Sequence, residues 1–492
     1  MKCQLGKMTA ILLSVTFISG GPVLAAPTKV ETRIGTLEFT QDFANGYPTD
    51  ATVKKVYDEM DFQRASQAYM WSLPLVSFVN WQLVQNKLFN AKNGQLLYIN
   101  DYDERLAMLT LNATTPYVTG FVSLQESGPM VVEMPRGEVR GAASDMWQIQ
   151  MTQLTRPGKY LFLGPDQQLP IGAEDDGYII THSPMNNFFV GFRLMSADKK
   201  ARDAILNKVK IYPFSERKNP KQLKPIIPGA KKWKARQPRT MDYWEALSTS
   251  INREPVREMD RYFMAMLKPL GIEKGKPFKP NARQKKILMD ALLVGEAMAK
   301  VNDHSKRLKK AHYRDDSHWE FATTANWDSR TEYYQELDGT AAWLYEAVTN
   351  DQSMHGQETG WGQVYMSAYK DADGDWLDGG TDYVLHVPAN PPAKTFWSVS
   401  VYDISSRTLI DNKTQRGDVT SLQKPALQKN KDGSFDLYFG PEAPAGKETN
   451  WVQTVAGKAW FPYFRLYSPT QPFIDQTWIL PDFQKAAKKA DK

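Results

Sequence analysis

The chain has 492 residues, of which 42% are hydrophobic and 24% are charged, with a formal net charge of +6. This composition excludes a disordered chain and a protein with several membrane spans, and the length is well above that of a typical domain, so at least two cores are expected. Aromatic residues make up 12% of the chain, which favours a β-rich architecture or a surface that lines a ligand.

The first residues have the pattern of a secretory signal peptide. Lys2 and Lys7 flank the start of an apolar run, Met8–Ile18, that is too short to span a bilayer. Cleavage is expected after Ala25, so residues 1–25 are predicted to be removed together with the single cysteine of the chain. A mature chain without cysteine has no disulfide, no thiolate metal site and no cysteine nucleophile. We therefore expect a periplasmic or secreted protein without a stable membrane anchor.

The part that follows changes from helical to strand patterns. Residues 26–59 are assigned to an amino-terminal extension, and residues 60–80 have helical spacing of apolar side chains until Pro74 interrupts it. From Leu106 to Leu194 the chain has short alternating runs separated by Gly, Pro and Asp, which is typical of antiparallel strands. Residues 60–197 are therefore predicted to form a first β domain.

A basic, proline-rich segment comes next, at residues 198–239, with about 14 Lys and Arg side chains. One interpretation is a solvated connector, because prolines break it up and lysine is common at surfaces. The other is an edge that faces an anion, such as a phosphorylated substrate or an acidic outer surface. Nucleic acid is not expected as a partner, since the sequence contains no nucleic-acid-binding motif.

The last half of the chain is predicted to be helical first and then β again. Residues 240–350 have helical patterns, with a capping box at Asn281 and Gln284, and residues 351–480 return to alternating strands before a basic tail at 481–492. No internal repeat is visible in the sequence. The predicted fold class is α+β, mainly β, with two antiparallel β-barrel or sandwich domains, jelly-roll-like, and a helical segment between them.

Both β regions carry motifs of known families. The first contains NATTPYVTGFVSL (Asn112–Leu124), DMWQIQMTQLTRPGKYLFLGP (Asp145–Pro165) and VGFRLM (Val190–Met195), and it resembles the domain of unknown function DUF1254. The second contains DADGDWLDGGTDYVLHV, FWSVSVYD, DGSFDLYFGPEAPAGKETNW, FRLYSP and WILP, and it resembles DUF1214, the usual partner of DUF1254. The resemblance implies two β-barrel or sandwich domains and an exported protein, and it supplies no reaction.

One position departs from the DUF1254 pattern. The family usually has Asn-x-Asp-Thr-x-Tyr, whereas this chain has Thr114 where that Asp would stand. A catalytic or binding role of the Asp in relatives would therefore be lost or altered here.

Candidate site residues cluster near the carboxy-terminal end. Lys447, Asn450 and Trp451 follow a Pro/Gly loop, and they form either a turn held by Asn450 side-chain bonds with Trp451 plugging a barrel end, or the wall of a pocket. Arg465 lies inside a strand between Phe464 and Leu466, so it needs a carboxylate, a carbonyl or a ligand if it is buried. The complete predicted pocket is Asn112, Tyr117, Asp145, Arg193, Lys447, Asn450, Trp451 and Arg465.

A weak metal candidate lies in DADGDWLDGG. Asp371, Asp373 and Asp375 have the spacing of a calcium loop, but Trp376 stands at the sixth position, where an EF-hand needs Gly. A β-hairpin turn at Asp373 is the main interpretation, and a divalent cation such as calcium is the alternative.

Two functions of different classes stay open. The sequence has no G-x-S-x-G, Walker, dinucleotide-binding or H-E-x-x-H motif. The first hypothesis is an exported hydrolase for a small anionic or ester-bearing substrate, whose polar pocket stabilises developing negative charge. The alternative is a non-catalytic module that binds a small-molecule ligand or packs into a homo-oligomer.

Overall fold

The computed structural model describes residues 28–174, 176–229, 231–307, 309–355 and 359–486. The predicted signal peptide and its cleavage site lie outside the described residues, as does the end of the basic tail. The chain divides into two compact units, Met1–Asp61 and Phe62–Lys492.

The first unit contains an antiparallel hairpin of β1 (Thr28–Thr32) and β2 (Gly35–Phe39). Gly35 has φ 91°, a left-handed conformation that glycine adopts without a Cβ clash, and it allows the tight turn between the strands. A long helix, α1 (Asp50–Leu88), begins in this unit and continues into the second.

Pro74 does not end this helix, so the predicted interruption is wrong. Proline removes one backbone hydrogen bond, but the residues on both sides of it, Leu73 and Leu75, are buried in one core. Their burial outweighs the missing bond, since a buried leucine contributes about 1.5–3 kcal/mol. In addition, Gln148 Nε2 donates a 2.7 Å hydrogen bond to the carbonyl of Pro74.

The first β domain, called here the first sandwich, contains two open sheets in the described residues. Its strands are β3 (Leu97–Ile99), β4 (Tyr117–Ser123), β5 (Met130–Met134), β6 (Val139–Asp145), β7 (Gln150–Gln153), β8 (Gly158–Leu163), β9 (Ile179–His182), β10 (Asn187–Leu194) and β11 (Lys210–Pro213), with short helices α2 (Tyr102–Arg105), α3 (Leu124–Ser127) and α4 (Lys199–Leu206). The strand orders are β3-β4-β10-β6-β7 and β11-β5-β8-β9. Because α4 and β11 fall within residues 198–239, the predicted basic connector is wrong for its first part.

The region predicted to be helical, residues 240–350, contains four α-helices and one short strand among its described residues. It contains α5 (Asp242–Arg253), α6 (Arg261–Leu267), α7 (Ala282–His304) and α8 (Leu337–Glu346). The Asn281 side chain accepts from the Gln284 N–H and the Gln284 side chain from the Asn281 N–H, which is the predicted capping box. Single 3₁₀ turns lie at Phe214–Glu216, Glu258–Asp260, Lys268–Leu270, Lys309–Ala311, Gln352–Met354 and Glu448–Asn450.

The second β domain, the second sandwich, also has two open sheets in the part of the chain that is described. Its strands are β12 (Trp319–Phe321), β13 (Gln363–Ala368), β14 (Tyr383–Val387), β15 (Ala393–Asp403), β16 (Asp418–Thr420), β17 (Phe435–Gly440), β18 (Trp451–Gln453), β19 (Trp460–Pro469) and β20 (Gln484–Lys485). Helix α8 lies between β12 and β13 in the chain, and the short helix α9 (Gln471–Ile474) lies between β19 and β20. The orders are β12-β13-β19-β15-β16 and β18-β17-β14-β20. β12 therefore lies in the predicted helical segment, and β20 in the predicted tail.

The two sandwiches have the same topology. Replacing β3 to β11 by β12 to β20, in chain order, converts both sheet orders of the first sandwich into those of the second. The match includes the one parallel pair that each sandwich has among the described strands, β8 with β9 and β17 with β18. The fold repeats although the sequence shows no repeat, because a strand needs an alternating pattern rather than particular residues.

The sheets are open, so the barrel form of the prediction is wrong, while two stacked sheets around a shared core are present in each domain. The first core joins Val118 of β4 to Phe162 of β8, and the second joins Val399 of β15 to Leu437 of β17. The outer faces of the five-stranded sheets pack with the helices in a third core. No helix among the described residues is long and apolar enough to cross a membrane.

Candidate functional site

A cavity of about 400 Å³ lies between the outer faces of the two five-stranded sheets. Its lining combines residues of the first sandwich, the second sandwich and the chain after α8. The polar and aromatic lining residues include Asn112, Tyr117, Arg140, Phe189, Arg193, Trp343, Asp351, Ser353, Gln363, Tyr365, Tyr463, Arg465 and Tyr467.

Strand alternation places the arginines on the cavity side. Along β19, Phe464 and Leu466 point into the core of the second sandwich, so Arg465 between them points outward. Along β10, Phe192 and Leu194 point into the first core, and Arg193 faces the cavity. Each arginine therefore comes from the central strand of its five-stranded sheet.

Arg465 is buried, with 3% of its surface exposed. Its Nη2 donates to the carbonyl of Thr110 at 2.8 Å, and its Nη1 has no hydrogen-bond partner. The rings of Tyr365, Tyr402 and Tyr463 lie 5.3, 5.5 and 4.9 Å from the guanidinium carbon. Aromatic faces stabilise a cation, but they leave the free N–H groups without an acceptor.

Arg193 is held by neutral partners. Its Nη2 donates to Gln363 Oε1 at 3.1 Å and its Nη1 to the Tyr467 hydroxyl at 3.4 Å. Arg140 lies opposite Arg193 on β6. Burial and then the charge of Arg193 lower the pKa of Arg140 below its usual value.

The same cross-strand pair occurs in both sandwiches. Arg193 of β10 lies opposite Tyr117 of β4, and Arg465 of β19 lies opposite Tyr365 of β13. By the topological match, β10 corresponds to β19 and β4 to β13. The cavity thus receives one Arg–Tyr pair from each half of the repeat.

The cavity has an excess of positive charge. Neither Arg193 nor Arg465 forms an ion pair with a carboxylate of the described residues. Asp351 is the one carboxylate among the described lining residues. It accepts from the Ser353 N–H at 2.9 Å, and burial raises its pKa, which favours its neutral form.

Asn112 organises the loop before β4. Its backbone N–H donates to the Tyr117 hydroxyl at 3.1 Å, and its side-chain nitrogen donates to the Tyr467 hydroxyl of the second sandwich. Thr114, at the position that departs from the family pattern, donates to Asp418 Oδ2 at 3.1 Å. The Asp418 carboxylate of the second sandwich thus lies beside Thr114, and burial raises the pKa of Asp418.

Four predicted pocket residues meet at the cavity: Asn112, Tyr117, Arg193 and Arg465. Asp145 does not line it. Its side chain is buried at the end of β6, where Oδ1 accepts from the Ile149 N–H at 3.0 Å. Burial raises the pKa of Asp145 to about 6.

Lys447, Asn450 and Trp451 also lie away from the cavity lining. Asn450 Nδ2 donates to the carbonyls of Gln428 at 2.9 Å and Asp436 at 3.0 Å, and Trp451 Nε1 donates to the carbonyl of Gly440 at 3.0 Å. These contacts agree with the interpretation of this segment as a structural turn. They contradict the prediction that this turn and Arg465 line one pocket.

Several cavity residues were not predicted. Tyr463 and Tyr467 stand two positions before and after Arg465 on β19, so strand alternation alone places them on the same face. No local sequence pattern indicates Gln363 and Asp351, since they reach the cavity through tertiary packing.

The Asp371 loop is a turn closed by a lysine. Asp371 Oδ1 accepts from the N–H groups of Asp373 and Asp375, both at 3.0 Å, and Gly374 between them has φ 85°. Lys485 Nζ lies 3.3, 3.1 and 2.6 Å from the three carboxylates, in chain order. Lys485 thus supplies positive charge at the place where the alternative prediction expects a calcium ion.

A second group of possible metal ligands is buried. Carboxylate and imidazole atoms of Asp303, His304 and Glu346 lie within 4.8 Å of one another. Burial lowers the pKa of His304 to about 4, which keeps its imidazole neutral near pH 7. Burial and the neighbouring Asp303 raise the pKa of Glu346.

Two family models match the chain. One is described as Protein of unknown function (DUF1254) and matches residues 95–213, and the other as Protein of unknown function (DUF1214) and matches residues 362–471. The chain carries both domains, in this order. The DUF1254 match contains Arg193 and the DUF1214 match contains Arg465, so the cavity lies between the two domains.

One solved structure shares the fold at low identity, and a second matches with a lower score. The VPA0106 protein of Vibrio parahaemolyticus is 16% identical with a TM-score of 0.53, over 87% of this chain and 100% of that one. An uncharacterized protein of Burkholderia cenocepacia is 11% identical with a TM-score of 0.39, over 88% of this chain and 96% of that one. No curated protein sequence matches the chain. The first likeness shows that the arrangement of both domains is a shared fold.

Proposed function

We propose that the protein binds a small organic anion in the cavity between its DUF1254 and DUF1214 domains. The observation that carries this proposal is the pair of buried guanidiniums, Arg193 and Arg465, which face the cavity without a carboxylate partner from the described chain. A buried charge without a counterion is costly, and an anionic ligand removes that cost.

The shape of the cavity fits this class of ligand. Its volume of about 400 Å³ is within the range of pockets that hold drug-sized molecules, about 300–1,000 Å³. Trp343, Phe189 and Tyr365 contribute aromatic side chains to the wall, and these favour a ligand with an apolar or aromatic body. The arginines would hold its carboxylate, sulfonate or phosphate group, since a guanidinium binds such groups with two parallel hydrogen bonds.

Hydrolysis of an ester in the same cavity is the second candidate. It is supported by Arg465, whose unpaired Nη1 could donate to the oxygen of an ester carbonyl as negative charge develops. Binding is preferred, because His355, which follows the lining residues Ser353 and Met354 in the chain, bonds to Asn350 through Nε2 at 2.7 Å rather than to a serine. Export, and self-association into a homo-oligomer, stay predictions from the sequence.

The test is a thermal-shift and calorimetric titration of the purified protein with benzoate, benzenesulfonate and phenyl phosphate. Benzamide serves as the neutral ligand control, and Arg465→Gln is compared with Arg416→Gln. Arg416 is a suitable control because it also donates to backbone carbonyls, those of Glu448 at 2.9 Å and Thr449 at 2.6 Å, but it lies outside the cavity.

We expect a saturable rise in melting temperature with at least one anion and none with benzamide. Arg465→Gln should weaken that binding at least about tenfold, which corresponds to about 1.4 kcal/mol, while Arg416→Gln should bind as the wild type does. Equal shifts with benzamide, or no shift with any anion, would refute the proposal. Turnover of phenyl acetate that disappears in Arg465→Gln would favour the hydrolase.

A further inference from the structure

A second polar cluster lies behind the cavity wall, at the ends of two helices. Asp303 and His304 are the last residues of α7, and Glu346 is the last residue of α8. The side chains of Asp303 and Glu346 have no exposed surface, and that of His304 is 9% exposed. This combination of an imidazole and two carboxylates is unusual for an interior, where charged groups are normally paired.

Two atoms of the cluster lack hydrogen-bond partners although they are buried. They are Asp303 Oδ2 and His304 Nε2, and they lie 3.2 Å apart. The two atoms therefore contact each other as a carboxylate–imidazole pair whose geometry is not that of a hydrogen bond, and neither has another hydrogen-bond partner. Unpaired buried polar atoms cost about 1–3 kcal/mol each, so a native structure rarely keeps two at one place without a compensating group.

Neighbouring side chains bind the other carboxylate oxygens of the cluster. Asp303 Oδ1 lies 3.4 Å from Lys306 Nζ and accepts from the Tyr369 hydroxyl at 3.3 Å. The single proton of the Tyr369 hydroxyl is shared with Glu346, whose Oε2 lies 3.2 Å away, and Tyr463 donates to Glu346 Oε1. The other carboxylate oxygens of the cluster thus have protein partners, while Asp303 Oδ2 and His304 Nε2 have only each other as a polar contact.

The distances match those between ligands of one metal ion. Bonds of about 2.1 Å to nitrogen and oxygen put neighbouring ligand atoms about 3.0 Å apart at right angles and about 3.4 Å apart in a tetrahedron. The observed 3.2 Å between Asp303 Oδ2 and His304 Nε2 lies between these two values. One carboxylate oxygen of Glu346 lies within 4.8 Å of both atoms, so a small rotation of that carboxylate brings it within reach of the same ion.

The charges of the cluster also fit a divalent ion. Three carboxylates, those of Asp303, Glu320 and Glu346, surround one ammonium, that of Lys306, whose Nζ lies 3.2 Å from Glu320 Oε2. Binding of a metal requires the carboxylates to be ionised, and two negative charges then remain beside Lys306. A single ion of charge +2 neutralises them in a place that water does not reach.

We propose that Asp303, His304 and Glu346 form a buried site for one divalent transition-metal ion. One imidazole nitrogen with two carboxylates suits Zn²⁺ or Mn²⁺, whereas Ca²⁺ and Mg²⁺ prefer oxygen ligands alone. The ion ties the end of α7 to the end of α8. Because Tyr463 bonds to Glu346 and lines the cavity, the metal also fixes one wall of the proposed anion site.

The test uses the purified full chain, treated with a chelator, dialysed and then titrated separately with Zn²⁺, Mn²⁺ and Ca²⁺. Bound metal is measured by elemental mass spectrometry after desalting, and stability by melting temperature. The variants are His304→Gln at the proposed site, His318→Gln as the histidine control and Asp375→Asn as the control for the acidic turn. His318 is a suitable control because its Nδ1 bonds to Asp482, 2.9 Å away and outside the cluster.

We expect about one Zn²⁺ or Mn²⁺ per chain, a higher melting temperature with that metal and no comparable retention of Ca²⁺. His304→Gln should lose at least about tenfold in affinity, while His318→Gln and Asp375→Asn should retain the metal. The proposal is overturned if the wild-type chain holds no stoichiometric metal, a result that does not depend on whether the variants fold. It is equally overturned if Asp375→Asn, rather than His304→Gln, abolishes binding.

Discussion

At the scale of single residues, Asp145 shows how burial changes a carboxyl group. The pKa of Asp145 in the folded protein, about 6, lies above its usual value of 3.8, chiefly because burial disfavours the charged form. Between these two pH values the folded state binds more protons than the unfolded state. The contribution of Asp145 to stability therefore falls as the pH rises through this window, and the full cost is present above about pH 6.

Replacing Asp145 by Asn should stabilise the protein at alkaline pH. Asn has the same shape and keeps an oxygen for the Ile149 N–H, but it carries no charge. We expect the free energy of unfolding to rise by about 1–3 kcal/mol at pH 8 and to change little at pH 4, because a shift of about two pKa units corresponds to about 3 kcal/mol. Urea unfolding at both values measures this, with the exposed Asp290→Asn as control. A gain that is equal at pH 4 and pH 8 would contradict the assigned cause.

His355 should affect the free energy of unfolding with the opposite pH dependence. Burial lowers the pKa of His355 to about 4 from 6.5, so between these values the unfolded chain binds more protons and stability is lost as the pH falls. We expect the wild type to lose up to about 3 kcal/mol through this group between pH 7 and pH 4. His355→Gln should lose correspondingly less over the same range in urea titrations. An unchanged pH profile in the variant would mean that His355 binds its proton equally well in the folded and unfolded states.

The site could be predicted only where a local pattern determines it. Arg465 was found because a charged residue between two apolar neighbours in a strand must face away from their core. Lys447 and Trp451 were wrongly grouped with it, since closeness in sequence says nothing about which end of a strand faces the cavity. Asp351 and Gln363 were missed because their position depends on packing between distant segments.

At the scale of elements, α7 lies against α1 at a glycine. A Cβ built on Gly295 would lie 2.6 Å from the Cβ of Tyr69, far inside contact distance. Tyr69 cannot easily move, since it is buried and stacks on Tyr243 with ring centroids 4.4 Å apart. The glycine thus permits a close approach of the two helices.

Gly295→Ala should therefore destabilise the protein despite the higher helix propensity of alanine. The propensity gain is about 1 kcal/mol, whereas overpacking a core costs about 1–3 kcal/mol, and the rigid Tyr69 stack puts the cost at the upper end. We expect a net loss of about 1–2 kcal/mol in chemical unfolding. The control is Leu293→Ala on the exposed face of α7, where the residue is 70% exposed and the change should stay within about 0.5 kcal/mol. A more stable Gly295→Ala variant would show that Tyr69 can move.

Element types were predictable where segments are long, and short strands were not. The capping box of α7 and the alternating runs of the sandwiches gave correct element types. By contrast, β11, β12 and β20 have four, three and two residues, too few for an alternating pattern to be distinguished from a loop. Pro74 was misleading because tertiary burial on both sides of it outweighs one lost hydrogen bond.

At the scale of the whole molecule, the sandwiches and the helices share one core. That cluster includes Phe121 of the first sandwich, Trp244 of α5 and Phe461 of the second sandwich. Hydrogen bonds also connect the sandwiches directly, such as the one from the Tyr402 hydroxyl to the carbonyl of Leu111 at 2.8 Å. We expect the unit Phe62–Lys492 to unfold in one transition, because neither sandwich can lose this core without exposing the other.

Differential scanning calorimetry and near-ultraviolet circular dichroism should report the same midpoint for this transition. Tyr467→Phe, which removes the partner of Asn112 and Arg193 across the two sandwiches, should lower that midpoint without splitting the transition. Two resolved transitions, in the wild type or in the variant, would mean that the sandwiches fold separately.

The repeated topology has a consequence for the origin of the site. Duplication and fusion of a single gene segment would produce two sandwiches with the same strand order. Before fusion, a two-fold dimer would have been needed to bring two Arg–Tyr pairs together. Such a dimer makes both halves identical. Fusion removes that constraint, and the halves have diverged: Arg140 lies opposite Arg193, whereas Ser398 lies opposite Arg465. The cavity of the present chain is therefore asymmetric in charge, so the anion proposed above would bind with one preferred orientation.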